Sequence, residues 1–344
     1  MHGTALELVA HGKGVLAADE STGTIKKRFD SVGIGSTEQS RRLYRQMLFT
    51  TPGLGEHISG VILYDETIRQ AADDGTPFTT ILEKAGVIPG IKVDTGAKAL
   101  ANFPGETITE GLDGLRERLA EYKALGARFA KWRATIAIGP GLPTEFCQRA
   151  NAHAMARYAA LCQEADIVPI VEPEVLMEGD HHIDACAAAT TDTLIASYQQ
   201  LAEHRVDLSG TLLKVNMVLC GKACPTQAGH SEVAEATVRC LSANVPAEVP
   251  GIVFLSGGQS DEDATAHLNE MNKLGLHPWE LSFSYGRALQ GPALRAWGGE
   301  ATGLEATDLE ATDLEGGQRA LAHRARMNGL ARSGVYHSSM ESGV

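Results

Sequence analysis

A lysine set inside a strand-forming run is the first residue that could do covalent chemistry. Residues 210–217 read Gly-Thr-Leu-Leu-Lys-Val-Asn-Met and place the amine of Lys214 among apolar neighbours. In the ordinary case a flexible stem carries such an ammonium to water. In the other, apolar walls and nearby cations favour the free amine, the form that adds to a carbonyl. Further apolar runs end in charge: Asp19 follows Leu-Ala-Ala, Lys92 and Asp94 close Gly-Ile-Lys-Val-Asp, Lys131 and Arg133 flank Trp132, and Glu172 and Glu174 flank Pro173. Residues two apart on a strand share a face. If the strands lie side by side, four carboxyls (Asp19, Asp94, Glu172, Glu174) meet four cations (Lys92, Lys131, Arg133, Lys214). Burying such ions costs roughly several kcal/mol each before pairing offsets it, so a cluster of this size points to function. Carboxylates beside an amine can also move its protons, the setting a Schiff base needs.

A second constellation suits an anion. Leu-Ser-Gly-Gly-Gln-Ser at 255–260 leads into a helical pattern, and Ser-Tyr-Gly-Arg at 284–287 ends the last strand-like run. Exposed amides at the glycines of these stretches, near a helix N-terminus and with the guanidinium of Arg287 beside them, make a phosphate cradle. Metal readings are weaker. Adjacent histidines in Asp180-His181-His182-x-Asp184 point apart, which favours capping and surface roles, and Cys220, Cys224 and His230 lack a fourth ligand. There is no His-Glu-x-x-His and no P-loop. The expectation is chemistry with no metal and no cofactor.

The elements that position these residues can be counted. Eight apolar runs, at 14–19, 60–65, 88–94, 129–134, 167–174, 210–217, 251–256 and 279–285, alternate with amphipathic segments. Several are apolar on both faces, as a parallel strand covered on each side must be. Thr109 to Leu125 reads as a helix with leucines at 112, 115 and 119 on one face; Ser231–Ala243 and Asp261–Leu274 read as helices capped by Ser231 and by Ser260 or Asp261. Eight strand-helix units predict an α/β fold, a single-domain (β/α)8 TIM barrel, with a doubly wound open sheet as the alternative. Such barrels carry their sites at the C-terminal strand ends, where the charges gather.

The 344 residues are 43% hydrophobic, enough for one large core, and no Pro/Gly/Ser linker divides them. The predicted barrel spans 1–332, closing with a basic helix over Gln318–Ala331, and 333–344 reads as a flexible tail. Leu-Glu-Ala-Thr-Asp occurs at 304–308 and again at 309–313, an acidic surface repeat too short for a solenoid. A net charge of -13, with 5% aromatic residues and no basic stripe, argues against nucleic acid or an anionic membrane as partner. No apolar run approaches the ~20 residues of a membrane span. Six scattered cysteines and an opening without a signal-like pattern predict a cytoplasmic protein.

These motifs together resemble the class I fructose-1,6-bisphosphate aldolases. The matching stretches are Leu-Ala-Ala-Asp-Glu-Ser-Thr-Gly (16–23), Ala-Asp-Asp-Gly (72–75), Gly-Ile-Lys-Val-Asp (90–94), Gly-Leu-Asp-Gly-Leu (111–115) and Phe-Ala-Lys-Trp-Arg (129–133). Further on come Val-Pro-Ile-Val-Glu-Pro-Glu (168–174), Gly-Thr-Leu-Leu-Lys (210–214), Phe-Leu-Ser-Gly-Gly-Gln-Ser (254–260) and Phe-Ser-Tyr-Gly-Arg-Ala-Leu (283–289). The resemblance runs from about Gly12 to the basic helix before Tyr336 and implies roles. Lys214 would attack the C2 ketone, Glu172 would move protons, Lys131 and Glu174 would tune the amine, and Asp19 would deprotonate the C4 hydroxyl. Lys92 and Arg133 would bind substrate, Arg28 would reach one phosphate, and Ser256, Gly257, Ser284, Gly286 and Arg287 would hold the other. Small sugar phosphates are the implied partners, and a homotetramer the implied assembly.

Two departures stand out. Val215 follows the lysine where the family usually has proline, which restores an amide donor and suits a strand. The chain ends Ser-Gly-Val where the family commonly ends in a tyrosine, so either Tyr336 replaces it or the enamine is reprotonated another way. These departures motivate the alternative of a catalytically silent sugar-phosphate-binding scaffold on the same fold. Fructose 1-phosphate or sedoheptulose bisphosphate remain alternative substrates.

Overall fold

In the computed structural model, which describes residues 1–298 and 312–342, ten strands follow the apolar runs. They are β1 (Gly14–Ala18), β2 (Ile58–Leu63), β3 (Ile88–Lys92), β4 (Gly96–Ala99), β5 (Thr107–Glu110), β6 (Phe129–Ile136), β7 (Val168–Val175), β8 (Leu212–Val215), β9 (Gly251–Phe254) and β10 (Glu280–Tyr285). Eight close into a parallel barrel in the order β1-β10-β9-β8-β7-β6-β3-β2, with helices around it. The doubly wound alternative falls, because β1 pairs with both β2 and β10 and leaves no end strand.

The barrel interior changes character along its axis. Val15, Ala17, Ile62, Ile88, Phe129, Val168, Ile170, Leu212 and Val253 form one buried apolar cluster with Ala5, Leu8 and Val9. The last three belong to the N-terminal helix His2–Leu8 and the residue after it, so this segment plugs the N-terminal end. Phe129 fills the space beside it: a Cβ on Gly90 would lie 2.3 Å from the Phe129 ring, so that position must stay bare. Two residues further along four of these inward faces the side chains become ionic: Ala17 leads to Asp19, Phe129 to Lys131, Ile170 to Glu172 and Leu212 to Lys214, with Arg133 and Glu174 two residues beyond. A dry apolar floor thus supports a charged upper layer.

Several local expectations need correcting. Thr109 starts no helix. It lies in β5, which pairs antiparallel with β4, and the helix begins only at Leu115. Gly111 and Gly114, at φ +126° and +66°, turn the chain between the two. Thr109 Oγ1 donates to the Arg133 carbonyl (2.8 Å), and Thr107 Oγ1 to that of Thr135 (3.0 Å), which docks the hairpin on β6. Ser231 lies inside the helix His230–Asn244, whose N-cap is Gly229 with no side-chain bond. Ser260 does cap Asp261–Lys273, accepting from the Asp263 amide at 3.0 Å.

The last long helix runs further than expected, Leu314–Arg332, with Asp313 accepting from Gly316 at its start. Most of the acidic repeat, 304–311, lies outside the described residues. In the stretch read as a tail, Tyr336 is buried and Glu341 accepts from its hydroxyl (2.9 Å), from Arg324 (2.5 Å) and from His323 (2.8 Å).

Candidate active site

A cleft of about 410 Å³ opens at the C-terminal ends of the barrel strands, and every catalytic and substrate-binding residue singled out from the sequence lines it. Its floor is a chain of alternating charge. Lys131 Nζ lies 2.7 Å from Asp19 Oδ2 and 3.2 Å from Glu172 Oε2. Glu172 Oε1 in turn is 3.3 Å from Lys214 Nζ. Lys131, Glu172 and Lys214 are each no more than 4% exposed. β6 and β7 set the pairing on the diagonal: in the parallel register Lys131 is level with Ile170 and Arg133 with Glu172, so each cation reaches the carboxylate two residues further along β7.

Burial alone would raise the Asp19 carboxyl. The ammoniums of Lys131, Lys214 and Lys92 overcome that and hold it well below the ordinary carboxylate range. For Glu172, burial likewise pushes up, and Lys131, Lys214 and Arg133 pull it down on balance. Lys131 is the counterpart: burial would lower it, but Asp19, Glu172 and Asp94 raise it well above an ordinary lysine. Lys131 is therefore a fixed cation between two carboxylates. Among the described residues Lys214 pairs with one carboxylate, Glu172.

The walls are tethered the same way. Lys92 Nζ donates to Asp94 Oδ1 at 2.6 Å and to its carbonyl at 2.7 Å, so Asp94 serves as a tether rather than lining the cleft. Asp94 Oδ2 also accepts from the Arg133 amide at 3.2 Å. Arg133 Nε lies 2.5 Å from Glu174. On the far wall, Arg287 Nη2 donates to the carbonyls of Gly257 and Gln259, both at 2.7 Å, which draws the glycine turn and the arginine into one cradle. Gly257 takes the left-handed conformation there (φ +53°), which turns the chain tightly at the cleft. Ser284 Oγ is buried with no hydrogen-bond partner among the described residues, and its side chain lines the cleft.

Sequence reasoning missed three residues. Glu20 is buried beneath the cleft edge, bonded to Arg28 and, at 2.5 Å, to Arg45. It adjoins Asp19 on the opposite strand face, so alternation hid it. Lys222 and Glu178 reach the rim from loops, where no strand periodicity applies. Other candidates lie elsewhere. Val215 is fully buried and packs in the layer between barrel and helices, away from the cleft. Tyr336 sits over the helix Asp261–Lys273, its amide on Asn269, and does not line the cleft. At 180–184 the capping reading fails: His182 occupies the N-cap position without a side-chain bond. It lies 3.5 Å from Cys224 Sγ, and the His181 ring nitrogens are enclosed rather than solvated. Among the described residues no group of three or more His, Cys, Asp or Glu is arranged to hold a metal ion, and no helix is long and apolar enough to cross a membrane.

Comparison with known proteins agrees with this geometry. The family model described as fructose-bisphosphate aldolase class-I matches residues 1–344. The chain is 57% identical over 333 residues, 97% of each chain, to a Xanthomonas campestris pv. campestris protein named probable fructose-bisphosphate aldolase class 1. It is 52% identical to fructose-bisphosphate aldolase 1 of Toxoplasma gondii, over 96% of this chain and 89% of that one. A solved structure of fructose-bisphosphate aldolase from Plasmodium falciparum, in complex with TRAP and a small-molecule inhibitor, superposes with a TM-score of 0.93 at 45% identity, covering 98% of this chain and 95% of that one. With a match along its whole length, the chain belongs to the class I fructose-bisphosphate aldolase family.

Proposed function

We propose that this protein cleaves fructose 1,6-bisphosphate reversibly to dihydroxyacetone phosphate and glyceraldehyde 3-phosphate through a Schiff base on Lys214. The observation that carries the reading is the bridge of Glu172 between Lys214 and Lys131, with Asp19 on the far side of Lys131. The Lys214 amine adds to the C2 ketone, and Glu172 returns a proton as the carbinolamine loses water, leaving an iminium. Asp19, ionised by its cations, takes the proton of the C4 hydroxyl. The C3–C4 bond then breaks, its electrons pass into the iminium to give an enamine, and the aldehyde departs. Protonation at C3 and hydrolysis release the ketone product and restore the amine. Lys131 keeps its charge throughout and holds both carboxylates in place, while Glu174 fixes Arg133 beside them.

Lys92 and Arg133 bind substrate along the wall, Arg28 reaches one phosphate, and Ser256, Gly257, Ser284, Gly286 and Arg287 hold the other. The assignment predicts that borohydride with dihydroxyacetone phosphate locks substrate onto Lys214 and abolishes turnover. Active enzyme with no adduct at Lys214 would refute it. Turnover on fructose 1-phosphate and sedoheptulose bisphosphate, compared with the bisphosphate, defines the preferred sugar. We further propose a cytoplasmic homotetramer, on the strength of the family resemblance. Light scattering should give four times the 36.5 kDa chain mass.

A further inference from the structure

The cradle turn carries a cation that the roles above leave unused. Lys222 lies on the loop after β8, and that loop is seamed to the one after β7. Its amide donates to the Met177 carbonyl, the Ala223 amide to that of Gly179 and the Gly221 amide to that of His181, each at 2.8 Å. The seam fixes where the side chain goes. It runs directly across Gly258: a Cβ there would lie 1.7 Å from Lys222 Cε and 2.3 Å from its Nζ. The position after Gly257 must therefore be glycine for the lysine to lie over the turn.

Two partners around the turn are weak ones. The Gly258 amide donates to the Met177 thioether, at 2.8 Å, and thioether sulfur is a poor acceptor. Lys222 Nζ pairs with Glu178 at 3.1 Å, but the two side chains are 44% and 64% exposed, so solvent and salt screen that pair. An amide on a poor acceptor and an ammonium on a screened one, both beside the Ser256–Gly257 turn, can be won by a single stronger anion.

We propose that Lys222 is a further substrate-binding residue, an ammonium that leaves Glu178 to contact the phosphate held at Ser256, Gly257 and Arg287. The inference rests on the aldolase reading for the identity of that phosphate, but inorganic phosphate probes it independently. Lys222→Met should weaken inorganic phosphate binding, followed by titration calorimetry at low salt, about fivefold, with a smaller deficit as salt rises. It should raise KM for fructose bisphosphate by a similar factor with little change in kcat, as loss of a contact made equally in ground and transition states does. Lys222→Arg should recover most of the loss, and Glu178→Gln, which frees the ammonium, should bind phosphate at least as well as the unaltered protein. Unchanged phosphate affinity in Lys222→Met would overturn the proposal. So would an equal loss in Glu178→Gln, which would make the pair a loop fastener. An unaltered protein that binds phosphate but fails to cleave the sugar would defeat the aldolase reading and leave this test intact.

Discussion

Replacing Lys131 with methionine tests the electrostatic core of the site. The side chain is 4% exposed and touches Asp19 at 2.7 Å and Glu172 at 3.2 Å, so its loss strands two buried carboxylates. Breaking a buried pair on one side costs roughly 3–5 kcal/mol. Lys214 Nζ remains 3.3 Å from Glu172, so that carboxylate keeps one partner, which places the expected loss near the lower end, about 3 kcal/mol, or roughly a hundredfold in the folding equilibrium.

The sign with pH is also specified. In the unaltered protein Asp19 and Glu172 are depressed, so their contribution is present above the unfolded values near 4 and disappears only at lower pH. Lys131 is raised, so its contribution is complete below the unfolded value near 10.4 and is lost only at higher pH. Between these limits the trio contributes a constant amount. In the variant, burial raises Asp19 without its main cation, so the folded state takes up a proton before the unfolded state does and recovers stability as pH falls. Urea unfolding at about pH 8 and about pH 5.5 should show the full deficit at the higher pH and a smaller one at the lower. A deficit under about 1 kcal/mol, or one independent of pH, would refute the reasoning.

Three further substitutions address other links. Gly90→Ala forces a Cβ against Phe129 and should cost about 1–3 kcal/mol in urea unfolding, partly recovered by adding Phe129→Leu. Glu20→Gln removes the carboxylate between buried Arg45 and Arg28; it should cost about 3 kcal/mol and raise KM more than it lowers kcat, read by unfolding and steady-state kinetics. Glu341→Gln should lose about 1–2 kcal/mol with kcat unchanged, because its three partners lie off the cleft. Burial raises Glu341, but Arg324, His323 and Tyr336 together lower it, so this deficit should vanish as pH falls below about 4.

The barrel was legible because eight apolar runs alternate with amphipathic segments and several of those runs are apolar on both faces. The cleft was legible because five of the apolar runs end in charge on one face, at Asp19, Lys92, Lys131, Glu172 and Lys214. What alternation does not reveal is partnership: Lys92 at the end of β3 and Asp94 just beyond it bind each other, and Glu20, one residue past Asp19, holds Arg28 and Arg45. The leucines at 112, 115 and 119 suggested one continuous helix, but the positive φ angles at Gly111 and Gly114 break it. Lys222 sits on a loop whose position comes from carbonyls some forty residues away, beyond the reach of local pattern.

The β4–β5 hairpin has one more consequence. β6 pairs with β3 only through Lys131, and its remaining residues run on without a barrel neighbour on that side. Past that point the Val93 amide takes the Lys131 carbonyl (3.1 Å), Asp94 takes the Arg133 amide, and Thr109 and Thr107 take the carbonyls of Arg133 and Thr135. A closed barrel abolishes edges in principle, yet this one has a length of unpaired strand edge that only side chains and the hairpin stopper. Until they dock, that edge is a template for another chain, which leaves the stretch carrying Arg133 open to strand addition and aggregation in a nascent or refolding protein.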